Sequence, residues 1–153
     1  MKACDVMSKP VVTVRPDTPT REIARLLLEK GISAVPIVDD NGAPIGMVSE
    51  SDLIHPKRTK REAWRQSWLE IFAEGEPLAS ELLAWLQSQN DNAHAVMSAP
   101  AITVSEDTEL REIAGVFVAH RIKRVPVVRN GRVTGIVARG DLLRTMASSE
   151  AKL

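Results

Sequence analysis

The chain has 153 residues and a mass of 16.8 kDa, with 20 Lys and Arg against 20 Asp and Glu. A hydrophobic fraction of 44% and a charged fraction of 26% exclude a mainly disordered chain, and a formal net charge of zero leaves no global attraction to nucleic acid or an anionic membrane. The single cysteine, Cys4, excludes an intramolecular disulfide, no apolar signal segment follows Met1, and no apolar run approaches the roughly 20 residues of a membrane helix, so a reducing, cytoplasmic setting is expected.

In chain order, Val11 to Val14 is a short β-branched run that reads as a strand. Thr18 before Pro19 reads as an N-cap and first helical position. Ile23, Leu26 and Leu27 follow at helical spacing, and Gly31 stops the helix. Ala34 to Val38 reads as a buried strand, Asn41-Gly42 as a hairpin turn, and Ile45 to Val48 as the return strand. A further helix begins near Ser49.

The segment that follows differs in kind. It holds Trp64, Trp68, Trp85 and Phe72, four of the chain's five aromatics. Trp64, Trp68, Ile71 and Phe72 share one helical face, Gly75-Glu76-Pro77 breaks that helix, and Leu78, Leu82, Leu83 and Leu86 mark a second. An amphipathic hairpin packed on the body and a subunit interface are both open readings. Lys57 to Arg61 with Arg65 reads as a nucleic-acid patch or a solvated helix start, and the interleaved acids favour the latter.

After this insert the chain repeats itself. Val6-Met7-Ser8 returns as Val96-Met97-Ser98, Arg21-Glu22-Ile23-Ala24 as Arg111-Glu112-Ile113-Ala114, and Val35-Pro36 as Val125-Pro126, all at an offset of 90. Beyond the turn the offset falls to 89, so Asn41-Gly42 matches Asn130-Gly131 and Asp52-Leu53 matches Asp141-Leu142. The two copies share 22 of 46 aligned residues, where chance at ordinary frequencies gives about three. Each copy has about 50 residues, too few to bury an adequate core alone. Residues 1–56 form the first unit, 57–92 the helical insert and 93–153 the second unit. The order strand, helix, strand, strand, helix predicts a mixed α/β fold.

Catalytic motifs are absent: there is no Gly-rich phosphate loop, nucleophile elbow, His-Glu-x-x-His or Cys pair. His55, His94 and His120 are dispersed without metal-ligand spacing. No catalytic residue and no metal ligand is expected, and an enzyme is the least supported class. The informative residues lie at strand-to-helix junctions. Ser49 with Asp52 three residues later closes a first helical turn in the manner of a capping box. The same geometry also offers a hydroxyl and a carboxylate, and a carboxylate can accept from two neighbouring sugar hydroxyls. In the second copy Asp141 remains, but Ala138 lacks the hydroxyl. His120-Arg121-Ile122-Lys123-Arg124 concentrates cations before a buried strand, where the first copy has Lys30-Gly31-Ile32-Ser33-Ala34. That bias points to an anion, or to a solvated rim.

The paired Val-Met-Ser-x-Pro-x-x-Thr-Val, Val-Pro-x-Val and Gly-x-x-x-x-x-Asp-Leu motifs resemble tandem cystathionine-β-synthase (CBS) domains, a Bateman module, here of stand-alone bacterial type. The resemblance covers both repeats and implies two pseudo-twofold-related units whose clefts bind an adenine nucleotide (AMP, ADP or ATP) or a related adenosyl ligand, and so regulate a protein partner. It implies a main cleft of Ser49, Asp52, Met97, Ser98, His120, Arg121, Ile122, Lys123 and Arg124. A second, weaker cleft joins Met7, Ser8, Ile32, Ser33, Ala34 and Asp141. The stretch His120 to Arg124 also looks like phosphate-contacting segments of the γ subunit of AMP-activated kinase. Bateman modules self-associate through helical faces, so a homodimer is implied. No cofactor is required. The alternative is a dimeric interaction scaffold whose clefts hold nothing.

Overall fold

The computed structural model describes residues 1–9, 11–54 and 91–150. The insert expected over 57–92, with its aromatic stripe, lies outside them apart from residues 91–92. The elements are α1 (Ala3–Val6), α2 (Thr20–Lys30), β1 (Ala34–Val38), β2 (Pro44–Ser49), α3 (Glu50–Ile54), α4 (Ala93–Val96), β3 (Val104–Ser105), α5 (Leu110–His120), β4 (Arg124–Arg129), β5 (Arg132–Ala138) and α6 (Arg139–Glu150). The fold is mixed α/β, as the motif order predicted.

Local sequence explains most boundaries. Ile23 and Leu27 are buried on one face of α2, and Gly31 ends it at φ 62°, the left-handed conformation that suits glycine. Thr18 is not the cap expected of it. Helix α2 begins at Thr20, with Pro19 in the cap position and no side-chain cap. The Thr18 hydroxyl instead accepts the Arg15 N–H at 3.1 Å, and Thr108 accepts Ser105 N–H at 3.0 Å in the same way. A threonine two residues before a helix has closed a local turn rather than capped the helix.

The strands follow the repeat, with two differences. β4 pairs antiparallel with β5 and parallel with β3. β1 pairs with β2, and the expected strand at Val11 to Val14 is reduced to one parallel bridge, Val14 to Ile37. The two Asn-Gly turns also diverge. Asn130 and Gly131 both take positive φ, 52° and 76°, and close a two-residue loop between Arg129 and Arg132. In the other turn only Gly42 does so, and Asp39 holds a longer loop by accepting the N–H groups of Asn41 and Ala43, each at 2.9 Å.

The compact units are not the sequence repeats. The first contains Met1–Thr13, Val38–Ile45 and Ala99–Leu153; the second contains Val14–Ile37 and Gly46–Ser98. Each therefore carries the lead segment of the other repeat. In the first, Ala3 N–H donates to Thr108 O at 2.8 Å, and Ser8 N–H donates to Ile136 O at 2.8 Å. In the second, the equivalent bonds run from Ala93 N–H to Thr18 O at 2.8 Å and from Ser98 N–H to Met47 O at 2.9 Å. The core of the first unit gathers Ala3, Met7, Val104, Ile113, Phe117, Val125, Val127 and Val137. In the second, Val14, Ile23, Leu27, Val35, Ile37, Val48, Ala93, Val96 and Met97 are buried.

Two glycines seat the exchanged segments. A Cβ on Gly135 would lie 2.5 Å from Met7 Sδ and 2.7 Å from Met7 Cγ. A Cβ on Gly46 would lie 2.7 Å from Met97 Sδ and 2.9 Å from the Ser98 carbonyl oxygen. Each strand thus needs a residue without a side chain where the lead methionine crosses it.

Candidate functional site

Each unit brings three segments to one strand-to-helix junction. In the second unit β2 ends at Ser49 and α3 begins at Glu50. Asp52 Oδ2 accepts the Ser49 N–H at 2.8 Å and the Ser49 hydroxyl at 3.1 Å. Among the described residues its other oxygen, Oδ1, has no partner, and both side chains are half-buried. The Glu50 N–H donates to Ser33 O at 3.0 Å, which sets the start of β1 beside the helix start. The Met47–Ser98 bridge, with N–H to carbonyl bonds of 3.0 and 2.9 Å, brings in the lead segment: Met97 is buried and Ser98 exposed. Hydroxyls of Ser33, Ser49 and Ser98 and the Asp52 carboxylate characterise this junction.

The first unit repeats the geometry with other chemistry. Asp141 accepts the Ala138 N–H at 2.7 Å and an Arg144 guanidinium N–H on its other oxygen, and it is only 6% exposed. The Arg139 N–H donates to Lys123 O at 2.9 Å, and the Ser8–Ile136 bridge brings Met7, Ser8 and Lys9 alongside. Lys9, His120, Arg121, Lys123 and Arg139 are exposed, and Arg124 is half-buried.

The backbone bonds described so far all lie within one unit or the other. Met97 and Ser98 lie in the unit of Ser49 and Asp52, and Met7 and Ser8 in the unit of Asp141. Within each unit a backbone bond ties the strand start to the helix start of its own repeat: Ser33 to Glu50, and Lys123 to Arg139, with Arg124 paired to Ala138. The reason is the hairpin: a strand returning through a short turn delivers the next helix beside the start of its own partner strand. Lys123 and Arg124 therefore share a unit with Asp141, and Ser49 and Asp52 belong to the other. Sequence reasoning had also missed Lys9, Arg139 and Arg144. The signal was present in the repeat, which sets Lys9 against Ala99 and Arg139 against Glu50.

A family model of the CBS domain matches residues 3–56 and 93–148, once for each repeat and on both sides of the insert. The chain belongs to the CBS domain family. An uncharacterised protein of Methanopyrus kandleri is 31% identical over 141 residues, which cover 92% of this chain and 60% of that protein. The CBS domain-containing protein YhcV of Bacillus subtilis is 26% identical over 147 residues, covering 96% of this chain and 86% of that one. Among solved structures, the CBS domain of a CBS domain-containing membrane protein from Sphaerobacter thermophilus is 33% identical, with TM-score 0.70, over 94% of this chain and 86% of that chain. The CBS pair of protein MJ0100, solved with 5′-methylthioadenosine and S-adenosyl-L-methionine, has TM-score 0.71 at 24% identity over 97% of this chain and 98% of that one. CBSX2, solved with AMP, has TM-score 0.70 at 24% identity over 96% and 97%. Among the described residues no helix is long and apolar enough to cross a membrane, and no group of three or more His, Cys, Asp or Glu could hold a metal ion.

Proposed function

We propose that this CBS pair is a regulatory module that senses an adenine nucleotide, AMP, ADP or ATP, or a related adenosyl compound, and passes that state to a protein partner. The observation that carries the reading is the Asp52 carboxylate. One oxygen is held by Ser49 and the other has no partner among the described residues. A carboxylate fixed this way can accept both hydroxyls of a ribose, and a charge-assisted pair of this kind contributes about 1.5–3 kcal/mol to binding. Ser33, Ser49, Met97 and Ser98 surround that contact in the second unit, and Met7, Ser8, Ile122, Lys123, Arg124 and Asp141 surround its counterpart in the first. Regulation follows if the ligand binds one arrangement of the protein better than another. The module works without catalysis, in the cytoplasm, as a homodimer to which the aromatic insert contributes.

A melting screen against AMP, ADP, ATP, S-adenosylmethionine, NAD and cyclic dinucleotides tests the reading. Ligand at a hundredfold excess over Kd adds about 2.7 kcal/mol, and each kcal/mol moves Tm by about 2–4 °C at this size. A rise of roughly 5–10 °C is expected with at least one adenosyl compound. Asp141 favours a second reading, because Ala138 and Arg144 already hold both of its oxygens. If no compound moves Tm, the chain is an interaction scaffold with empty sites.

A further inference from the structure

The two junctions have equivalent backbones and opposite charge. At matched positions of the repeat, the Asp141 junction has Lys9, Arg121, Lys123, Arg124 and Arg139 where the Asp52 junction has Ala99, which follows Ser98, and Gly31, Ser33, Ala34 and Glu50. Five cations therefore face a set with no cation and one acid. Three of the five are tied to one place by backbone bonds. Lys9 follows Ser8, which bridges Ile136, and Lys123 accepts the N–H of Arg139 directly.

Two of these cations also work against the local fold. Arg121 ends α5 at φ 54°, a left-handed conformation that Gly31 adopts without strain in the other repeat. Arg139 is the first residue of the 12-residue helix α6, where the helix dipole opposes a cation; Glu50 at the matched position has the favoured sign. Residues that break local rules mark positions kept for another purpose. Neither arginine makes a described ion pair to offset that cost.

We infer that the two sites divide adenosyl ligands by charge. The Asp141 junction takes phosphorylated forms, with Lys9, Lys123 and Arg139 meeting the phosphate. The Asp52 junction takes forms without phosphate, which its serine hydroxyls and the carboxylates of Glu50 and Asp52 suit. This division rests on the proposed adenosyl-binding reading. It predicts that one chain reports two metabolite classes at once, and that salt weakens only the phosphorylated class, because exposed cations are screened.

The test is calorimetric titration of the full chain with AMP and, separately, with adenosine. In the wild type AMP affinity falls with ionic strength and adenosine affinity does not. The variant Lys9→Ala/Lys123→Ser/Arg139→Glu, which installs the matched residues of the other repeat, lowers the ratio of AMP to adenosine affinity at least tenfold. The control Lys9→Arg/Lys123→Arg/Arg139→Lys keeps the ratio within threefold, and all six substitutions fall on exposed side chains. A ratio unchanged in the charge-removing variant overturns the division and leaves the adenosyl reading standing. No binding of either compound overturns that reading, and the division with it.

Discussion

Gly46→Ala tests the exchange of lead segments most directly. The new methyl would sit 2.7 Å from Met97 Sδ and 2.9 Å from the Ser98 carbonyl oxygen, against ordinary contacts of about 3.3–4.0 Å. The sulfur can swing away, but the carbonyl belongs to the ladder that binds Met47 and Ser98 through bonds of 3.0 and 2.9 Å. Overpacking of this kind costs about 1–3 kcal/mol, and the better strand propensity of alanine returns about 0.5–1 kcal/mol. A net loss of about 1–2 kcal/mol follows, or roughly 0.5–1 M in urea midpoint at an m-value of about 2 kcal/mol/M. Gly135→Ala supplies the contrast, because the three nearest atoms to its Cβ all belong to the Met7 side chain. In a Met7→Ala background, which removes Sδ and Cγ and leaves only the Met7 Cβ at 3.0 Å, most of the cost of Gly135→Ala should therefore disappear, whereas Met97→Ala should rescue Gly46→Ala to a smaller extent because the Ser98 carbonyl stays in place. Urea unfolding of the four single variants and two doubles measures both couplings. An unchanged midpoint for Gly46→Ala, or full rescue by Met97→Ala, would refute the close approach.

Arg121→Gly should stabilise the chain by roughly 0.5–1 kcal/mol in urea unfolding, because glycine accepts the left-handed φ of 54° without strain. Arg144→Ala should cost about 1 kcal/mol by the same assay, since it strips one partner from a carboxylate that is 6% exposed; the 74% exposure of Arg144 keeps the loss well below that of a fully buried pair. Asp52→Ala should weaken adenosine binding at least tenfold in calorimetry, the equivalent of about 1.4 kcal/mol. Light scattering at micromolar concentration should give twice 16.8 kDa for the wild type, and Trp68→Glu should shift it toward the monomer; a fully dimeric, folded variant would place the stripe in the chain's own core.

Much of this was legible in the sequence, for definite reasons. The repeat exposed α2 and α5, both hairpins and both helix-start acids, because burial at Ile23, Ile113, Val35 and Val125 leaves few alternatives in each copy. Asp52 and Asp141 were visible as acids three residues after a strand end, a local relation that a sequence displays directly. The route of the lead segments was not visible. Met7 and Met97 look alike in the two copies, and nothing in either says whether it docks on its own repeat or the other. The same gap hid that Lys123 and Arg124 share a unit with Asp141. Gly46 and Gly135, alike inside apolar strands, were the clue to a close backbone approach, though not to what approaches.

The exchanged lead segments also impose an order on synthesis. Ser8 waits for Ile136, which lies 128 residues further along the chain. At about 5–20 residues per second, that seat is made roughly 6–26 s after the segment itself. Through that interval Met7 lacks the Gly135 face of β5 on which it is seated. The first repeat leaves the ribosome lacking Ala93 to Ser98, the strip that completes it, so a ribosome stalled in the insert carries an unfinished protein rather than a finished half. Folding is then governed by contacts distant in sequence, the class that closes slowly, and two separately made halves should find each other only as a bimolecular complementation.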